Sequence, residues 1–422
     1  MIYGTEDHAQ RYRCLHLRQQ LDLYGMPSCA LRFDEVSPSA VRRHKAVILH
    51  RVPFDKHIDK LILQARRQGN LSLFDTDDLV FEGSACDVMC PPLAENTVRA
   101  ALHRDETARY CRMMELADAV LVSTGFLARQ ATRFGKRAHV HRNAFSLEML
   151  ALSERAYEQC EVSDQRLVIG YASGTPTHDR DFQEAKPALR HTLSKYPHTE
   201  LWLIGHVDPG PDWGVASDRI KQLAFVPWQR LPGLLARFDI NIAPLEANNP
   251  FCQAKSEVKY IEAGLVRVPT VASRTDAFEY AIRSAENGLL VDGHQDWVGA
   301  LERLVEDAPF RREMGERAYA DVLRRYHPLV RGRELLATLD LITREVHGRA
   351  LWPGRSAGGV AEATAFECAS PAACGSRPSV GRKALYALRY RGLRTFLMQG
   401  WVYVRRCLAQ QRSYREPGGQ ER

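Results

Sequence analysis

Two hydrophobic rhythms alternate along this chain. Short apolar runs at residues 2–4, 30–33, 46–49, 71–74, 119–122 and 139–141 read as strands of the fully buried kind. Between them, apolar residues recur every three or four positions, as at Cys14, Leu17, Leu21 and Tyr24. This spacing predicts helices over 11–24, 58–67, 98–116 and 126–134, with Gly25 and Gly69 as stops. A polar stretch, 153–165, interrupts the pattern. It resumes with strands at 167–171, 201–205, 224–226, 239–243, 270–272 and 288–291. Helices are expected between them at 182–196, 231–238, 257–264, 277–284 and, for the most part, 297–325. One such series predicts a parallel sheet covered on both faces, and two in succession predict an α/β protein of two Rossmann-like domains facing a cleft. The expected division is 1–150, a linker at 151–165, and 166–347. Residues 348–381, rich in Gly, Ala, Ser and Pro, have linker composition.

Charge changes this picture at one place. The 422-residue chain carries a formal +7, yet the segment 382–422 alone holds ten Lys or Arg against two Glu. That leaves −1 for residues 1–381, so a nucleic-acid signature of the whole protein is excluded. In the tail, Tyr386, Tyr390, Leu393, Leu397, Trp401, Val404 and Leu408 are spaced 4, 3, 4, 4, 3 and 4, one face of a helix over 382–416. A basic amphipathic helix with Trp and Tyr suits an anionic membrane surface; docking on the body of the protein or on a second copy is the alternative reading, non-specific nucleic-acid binding is a third, and specific nucleic-acid binding is not expected. The ten cysteines show no C-x-x-C pair, so neither a disulfide scaffold nor a structural metal is expected. No basic and apolar leader opens the sequence, and no run reaches the ~18 apolar residues of a membrane span. The expected location is the cytoplasm, with peripheral attachment at the inner face of the membrane through the tail.

The chemistry is concentrated in residues 239–273. A strand ends at Ala243, a loop follows, and Lys255-Ser256 precede a helix starting near Glu257. A helix N-terminus presents unpaired N–H groups, Lys255 a point charge and Ser256 a hydroxyl, a set that suits phosphate. Glu262, on the same helix, offers a carboxylate to the two hydroxyls of a ribose; a capped surface helix with Glu262 in solvent is the plain reading. Ser173, Gly174 and Thr175 follow another strand and let the backbone approach a phosphate, with His178 beside them to bond it or to cap the next helix. At the end of strand 71–74, Asp75, Asp77 and Asp78 form a carboxylate cluster, fit to act as base, to orient an acceptor hydroxyl or to bind a metal, or else simply a solvated acidic turn.

The run E-A-x-x-x-x-V-P-x-V-A-S from Glu262 to Ser273 resembles the group 1 glycosyltransferases of GT-B fold, the E-x7-E type. Ala254 stands where that motif has its first Glu, and the chain is more similar to a subgroup with P-F-x-x-x-K-S-x-x-K-x-x-E, here Pro250 to Glu262. The resemblance implies a nucleotide diphosphate sugar as co-substrate, no other cofactor and no metal. It implies donor binding by Ser173, Gly174, Thr175, His178, Gly205, Val226, Lys255, Ser256 and Glu262. Catalysis is expected of Lys255, Asp75 and Asp77, and acceptor-side contacts of Arg11 and Asp78. The sugar contact of the missing Glu is left to Glu246 or Asn248. Relatives often carry a His near the 74–78 strand end, and that run has none. The implied activity is transfer to a glycan or lipid-linked acceptor, retaining and metal-independent. An inactive scaffold of the same fold and a nucleotide-sugar epimerase are the alternatives. A dehydrogenase is disfavoured, because no G-x-G-x-x-G follows a strand.

Overall fold

The computed structural model describes residues 1–5, 8–82, 97–160, 166–174 and 179–351. Thr175, His178, the expected linker beyond residue 351 and the expected basic helix lie outside the described residues.

Two six-stranded sheets form the framework, and every strand pairing in them is parallel. The first contains β1 (Ile2–Tyr3), β2 (Leu31–Arg32), β3 (Ala46–His50), β4 (Leu71–Thr76), β5 (Ala119–Val122) and β6 (Ala138–Val140), in the order β2-β1-β3-β4-β5-β6. The second contains β7 (Leu167–Ser173), β8 (Thr199–Gly205), β9 (Ile220–Leu223), β10 (Ile240–Ala243), β11 (Thr270–Ser273) and β12 (Leu289–Val291), in the order β12-β11-β10-β7-β8-β9. Strand order reverses beside β1 in one sheet and beside β7 in the other. The loops after β1, β3, β7 and β10 therefore border the crevices in which parallel sheets bind ligands. Central strands such as β4, β5 and β10 are buried along their whole length, as helix-covered parallel sheets require.

Four local readings differ from the structure. The first six residues of the polar stretch, 153–158, belong to a helix, Leu147–Glu158, which starts at Ser146, whose side chain accepts the Met149 N–H at 3.1 Å. That helix packs on helices Leu231–Leu235 and Val258–Leu265. The strand expected at 224–226 is instead β9, just before it, and 224–226 is loop. β4 continues through Asp75 and Thr76, two residues past the apolar run. A five-residue helix, Pro250–Ala254, capped by Asn249, stands where only loop was expected; it is too short to show a period.

The last described helix, Pro328–His347, begins with Pro at its first position and ends at Gly348 with φ 64°. The expected division, 166–347, places it in the second domain. Its Leu335, Leu339 and Ile342 nevertheless pack with Leu17, Leu21, Ile48, Leu71, Leu73 and Leu121 of the first. The chain thus crosses between domains twice, and the two crossings touch: the rings of Phe145 and His327 are 5.7 Å apart, edge to face.

Candidate active site

The domains enclose a cleft of about 370 Å³ at the C-terminal strand ends. First-domain residues Arg11, Tyr12, Arg51, Asp77 and Asp78 line one wall. Ser173, Gly174, Val226, Trp228, Lys255, Ser256, Lys259 and Glu262 line the other.

The wall from the second domain is built on helix Val258–Leu265. Lys259 and Glu262 are three residues apart and so share a helix face. Burial pushes the Lys259 ammonium down to about 8, although Glu262 and Asp181 pull the other way. Its Nζ donates to the Ala172 carbonyl and lies 4.6 Å from the Tyr171 ring centre. The expected site did not include Lys259. Its signal was present in the K-S-x-x-K-x-x-E run, one turn ahead of Glu262. Lys255 leaves the preceding short helix, covers the Phe251 ring at 3.9 Å and reaches Asp78 across the cleft at 2.9 Å. Ser256 Oγ accepts from Asn143 of the first domain at 2.9 Å, which leaves its own hydroxyl proton free to donate. Beside it Glu257, fully buried, binds Arg142 at 3.3 Å and the Tyr326 hydroxyl at 3.0 Å, tying the start of this helix to the domain junction.

Gly205 ends β8 with φ 86°, and a Cβ there would lie 2.2 Å from the Ser173 carbonyl oxygen. Only glycine lets β8 turn this close behind the Ser173-Gly174 loop, so Gly205 shapes the site without lining it. Val226 and Trp228 lie on the loop after β9, and the Arg11 guanidinium stacks on Trp228 at 4.8 Å and on Tyr12 at 4.6 Å. Arg11, expected on the acceptor side, also binds Glu262 at 3.3 Å.

The first-domain wall corrects the reading of the carboxylates. Asp75 is wholly buried in β4, paired with Arg13 through both oxygens and with His50 Nδ1 at 2.8 Å. Burial alone would raise its carboxyl, but Arg13 and His50 outweigh that and hold it well below the usual range. Asp75 does not line the cleft and is a structural anion, in place of the expected catalytic one. Asp77 and Asp78 do line it, and both are bound by Arg51, at 2.5 and 2.6 Å. Arg51 sits directly after β3 with φ 46°, a conformation that non-glycine residues rarely adopt, and this turns its side chain onto the two carboxylates. A histidine does reach this strand end, from the neighbouring strand: His50 of β3 is registered opposite Asp75, with Nε2 3.9 Å from Asp77.

Ala254, at the place of the missing Glu, is buried in the first-domain core cluster, and its carbonyl accepts from Thr124 at 3.4 Å. Neither Glu246 nor Asn248, the expected stand-ins for that Glu, lines the cleft. Glu246 is held by Arg180 at 2.8 Å and Asn249 at 2.7 Å. Glu246 also forms, with Asp181 and Cys252, a group with metal-ligand spacing, and none of these three residues lines the cleft.

Residues 168–307 match the family model described as glycosyl transferases group 1. The D-inositol 3-phosphate glycosyltransferase of Corynebacterium jeikeium is 37% identical over 101 residues, 24% of this chain and 23% of that protein. The enzyme of the same name from Corynebacterium diphtheriae is 42% identical over 57 residues, 13% of each chain. The chain therefore aligns with less than a quarter of the length of either relative. Among solved structures, Anabaena HepE in complex with UDP superposes with a TM-score of 0.56 at 13% identity, covering 80% of this chain and 98% of that one. A glycosyltransferase from Rickettsia africae gives 0.54 at 11% identity, covering 81% and 98%. At such identity these likenesses concern the fold, which is that of two facing Rossmann-like domains. The family match falls on the domain that carries Lys255, Lys259 and Glu262, and the chain shares the two-domain Rossmann-like fold of these solved structures.

Proposed function

We propose that the protein transfers a sugar from a nucleotide diphosphate sugar to a glycan or lipid-linked acceptor. The observation that carries this reading is the convergence of Lys255, Lys259 and Glu262 with the Ser173-Gly174 backbone on one cleft. Two ammonium groups and the start of helix Val258–Leu265 suit a diphosphate, and Glu262 suits a ribose. Val226 and Trp228 supply an apolar wall for a base.

As the glycosidic bond breaks, negative charge grows on the leaving diphosphate. Lys255, Lys259 and the loop N–H groups are placed before the reaction to meet that charge, which favours the transition state over the bound donor. Transfer with retention and without a metal is the mechanism we favour, with the two lysines supplying the positive charge. Asp77 and Asp78 face the same cleft from the first domain, where an acceptor hydroxyl would be oriented. Closure of the two walls would keep water from the activated donor. The match of residues 168–307 to the glycosyl transferases group 1 model supports the same reading.

A binding protein that has lost catalysis is the second reading, and Ala254 favours it. One experiment decides between them. A panel of nucleoside diphosphates and their sugar conjugates is screened by thermal shift, and those that stabilise are then assayed for transfer and hydrolysis. Stabilisation with turnover supports the transferase. Binding without turnover across the panel supports the scaffold, and no stabilisation by any member overturns both.

We further propose a cytoplasmic site of action, with the basic segment 382–416 holding the protein at an anionic membrane. No helix among the described residues is long and apolar enough to cross a membrane. Truncation after residue 381 should release the protein from anionic vesicles, and unchanged binding would refute the tail's role.

A further inference from the structure

Glu262 has a partner that binding a donor does not by itself require. Tyr12, from the first domain, donates its hydroxyl to Glu262 Oε1 at 2.6 Å, and Arg11 adds Nη2 to the same oxygen at 3.3 Å. Glu262 Oε2 meets no hydrogen-bond partner among the described residues. Both contacts on this second-domain carboxylate therefore come from the opposite domain, and both fall on one oxygen.

The Tyr12 side chain is firmly held. It is 5% exposed, its ring packs edge-on to His16 at 4.9 Å, and its hydroxyl lies 3.9 Å from Met149 Sδ. Burial keeps the phenol protonated far above neutral pH, so the hydroxyl is the donor and Glu262 the acceptor. The turn Arg11–His16 is wound as a π-helix inside the helix that follows β1. On that turn Tyr12 reaches the second domain, while the next residue, Arg13, binds Asp75 in the first-domain core. π-Turns of this kind are often found at functional sites.

We propose that Tyr12 is a positioning residue for the ribose subsite. The proposal rests on the reading of Glu262 as the ribose ligand. A carboxylate on a solvent-lined helix rotates broadly about its last torsion. A 2.6 Å bond to an ionised oxygen is a strong, charge-assisted one. Holding Oε1 in this way leaves Oε2 aimed at one place, where a ribose hydroxyl donates to it. Tyr12 belongs to the other domain and packs in one cluster with Phe145, Met149 and Ile261, so the subsite is shared between the domains and held at their junction.

The test compares full-length wild type with Tyr12→Phe, which removes one oxygen and leaves the ring packing intact. Affinities for UDP and GDP, and for the 2′-deoxy form of each, are measured by calorimetry. Wild type should prefer the ribonucleotide, and Tyr12→Phe should lose about tenfold in affinity for it while its affinity for the deoxy form is unchanged. In a Glu262→Ala background the Tyr12→Phe change should have no further effect. A ribo-to-deoxy ratio in Tyr12→Phe equal to that of wild type overturns the proposal and leaves the donor-site reading standing. Wild type that binds neither nucleotide overturns both.

Discussion

Lys255 of the second domain and Asp78 of the first meet across the cleft at 2.9 Å, so the group proposed to receive a diphosphate is already paired with a carboxylate. A donor phosphate must displace Asp78 from Lys255. Asp78→Asn should leave the fold intact and tighten nucleoside diphosphate binding by about three- to tenfold, because the lysine is then free. Lys255→Ala should instead lower transfer by about a hundredfold, with a melting temperature close to that of wild type. Wild-type turnover in Lys255→Ala would remove this residue from the phosphate site.

Lys259 should make donor binding depend on pH. Its folded value, lowered by burial to about 8, lies below that of a free lysine. Diphosphate binds best where the ammonium is charged, so affinity should fall as pH rises through about 8. Binding near that pH should take up a proton, visible in calorimetry as a dependence on buffer ionisation enthalpy. Lys259→Met should abolish the uptake and flatten the profile. For stability the sign is the reverse: the unfolded chain holds this proton more tightly, so this residue's contribution to stability rises with pH between its folded value and that of a free lysine.

Asp75 should behave as part of the core. Asp75→Asn leaves Arg13 buried without its counter-charge and should cost about 3–5 kcal/mol in a denaturant titration, more than a surface carboxylate would. Its folded carboxyl is held below the ordinary range. The stability it provides is therefore present above the ordinary aspartate value and is lost as pH falls below it toward the folded one. Acid titration of the melting temperature, wild type against Asp75→Asn, isolates that contribution.

Gly205→Ala should be damaging out of proportion to its size. A Cβ 2.2 Å from the Ser173 carbonyl and a φ of 86° force the loops after β7 and β8 apart. A loss of about 1–3 kcal/mol is expected, together with weaker nucleotide binding. Full retention of both would mean that these loops move without cost.

The two sheets and the second-domain wall were readable because buried parallel strands are continuous apolar runs, and because Lys255, Ser256 and Glu262 sit within one short segment. Lys259 belongs to that segment as well, but a lysine one turn into a helix reads as a solvated residue until the fold buries it. Asp75 is hidden from local spacing for a related reason. An aspartate after an apolar run looks like a turn, and only its pairing with Arg13, 62 positions away, shows that it ends inside the sheet. His50 and Tyr12 reach the site through strand register and domain contact, which no local spacing encodes. Ala254 looked like a lost ligand; the fold instead turns that position into the first-domain core.

The return of helix Pro328–His347 to the first domain makes the second domain an insertion within the first. Two chain segments bridge the gap at neighbouring points, since Phe145 on the outgoing crossing packs against His327 on the returning one. A single tether would let one domain swivel freely around the other. Two tethers side by side act as the pin of a door hinge, confining relative motion to a swing about the line through them. Tyr12 and Glu262 meet beside that pin, since Tyr12 packs in one cluster with Phe145 and Met149, so their contact shifts least while the rest of the cleft opens and shuts along one repeatable arc.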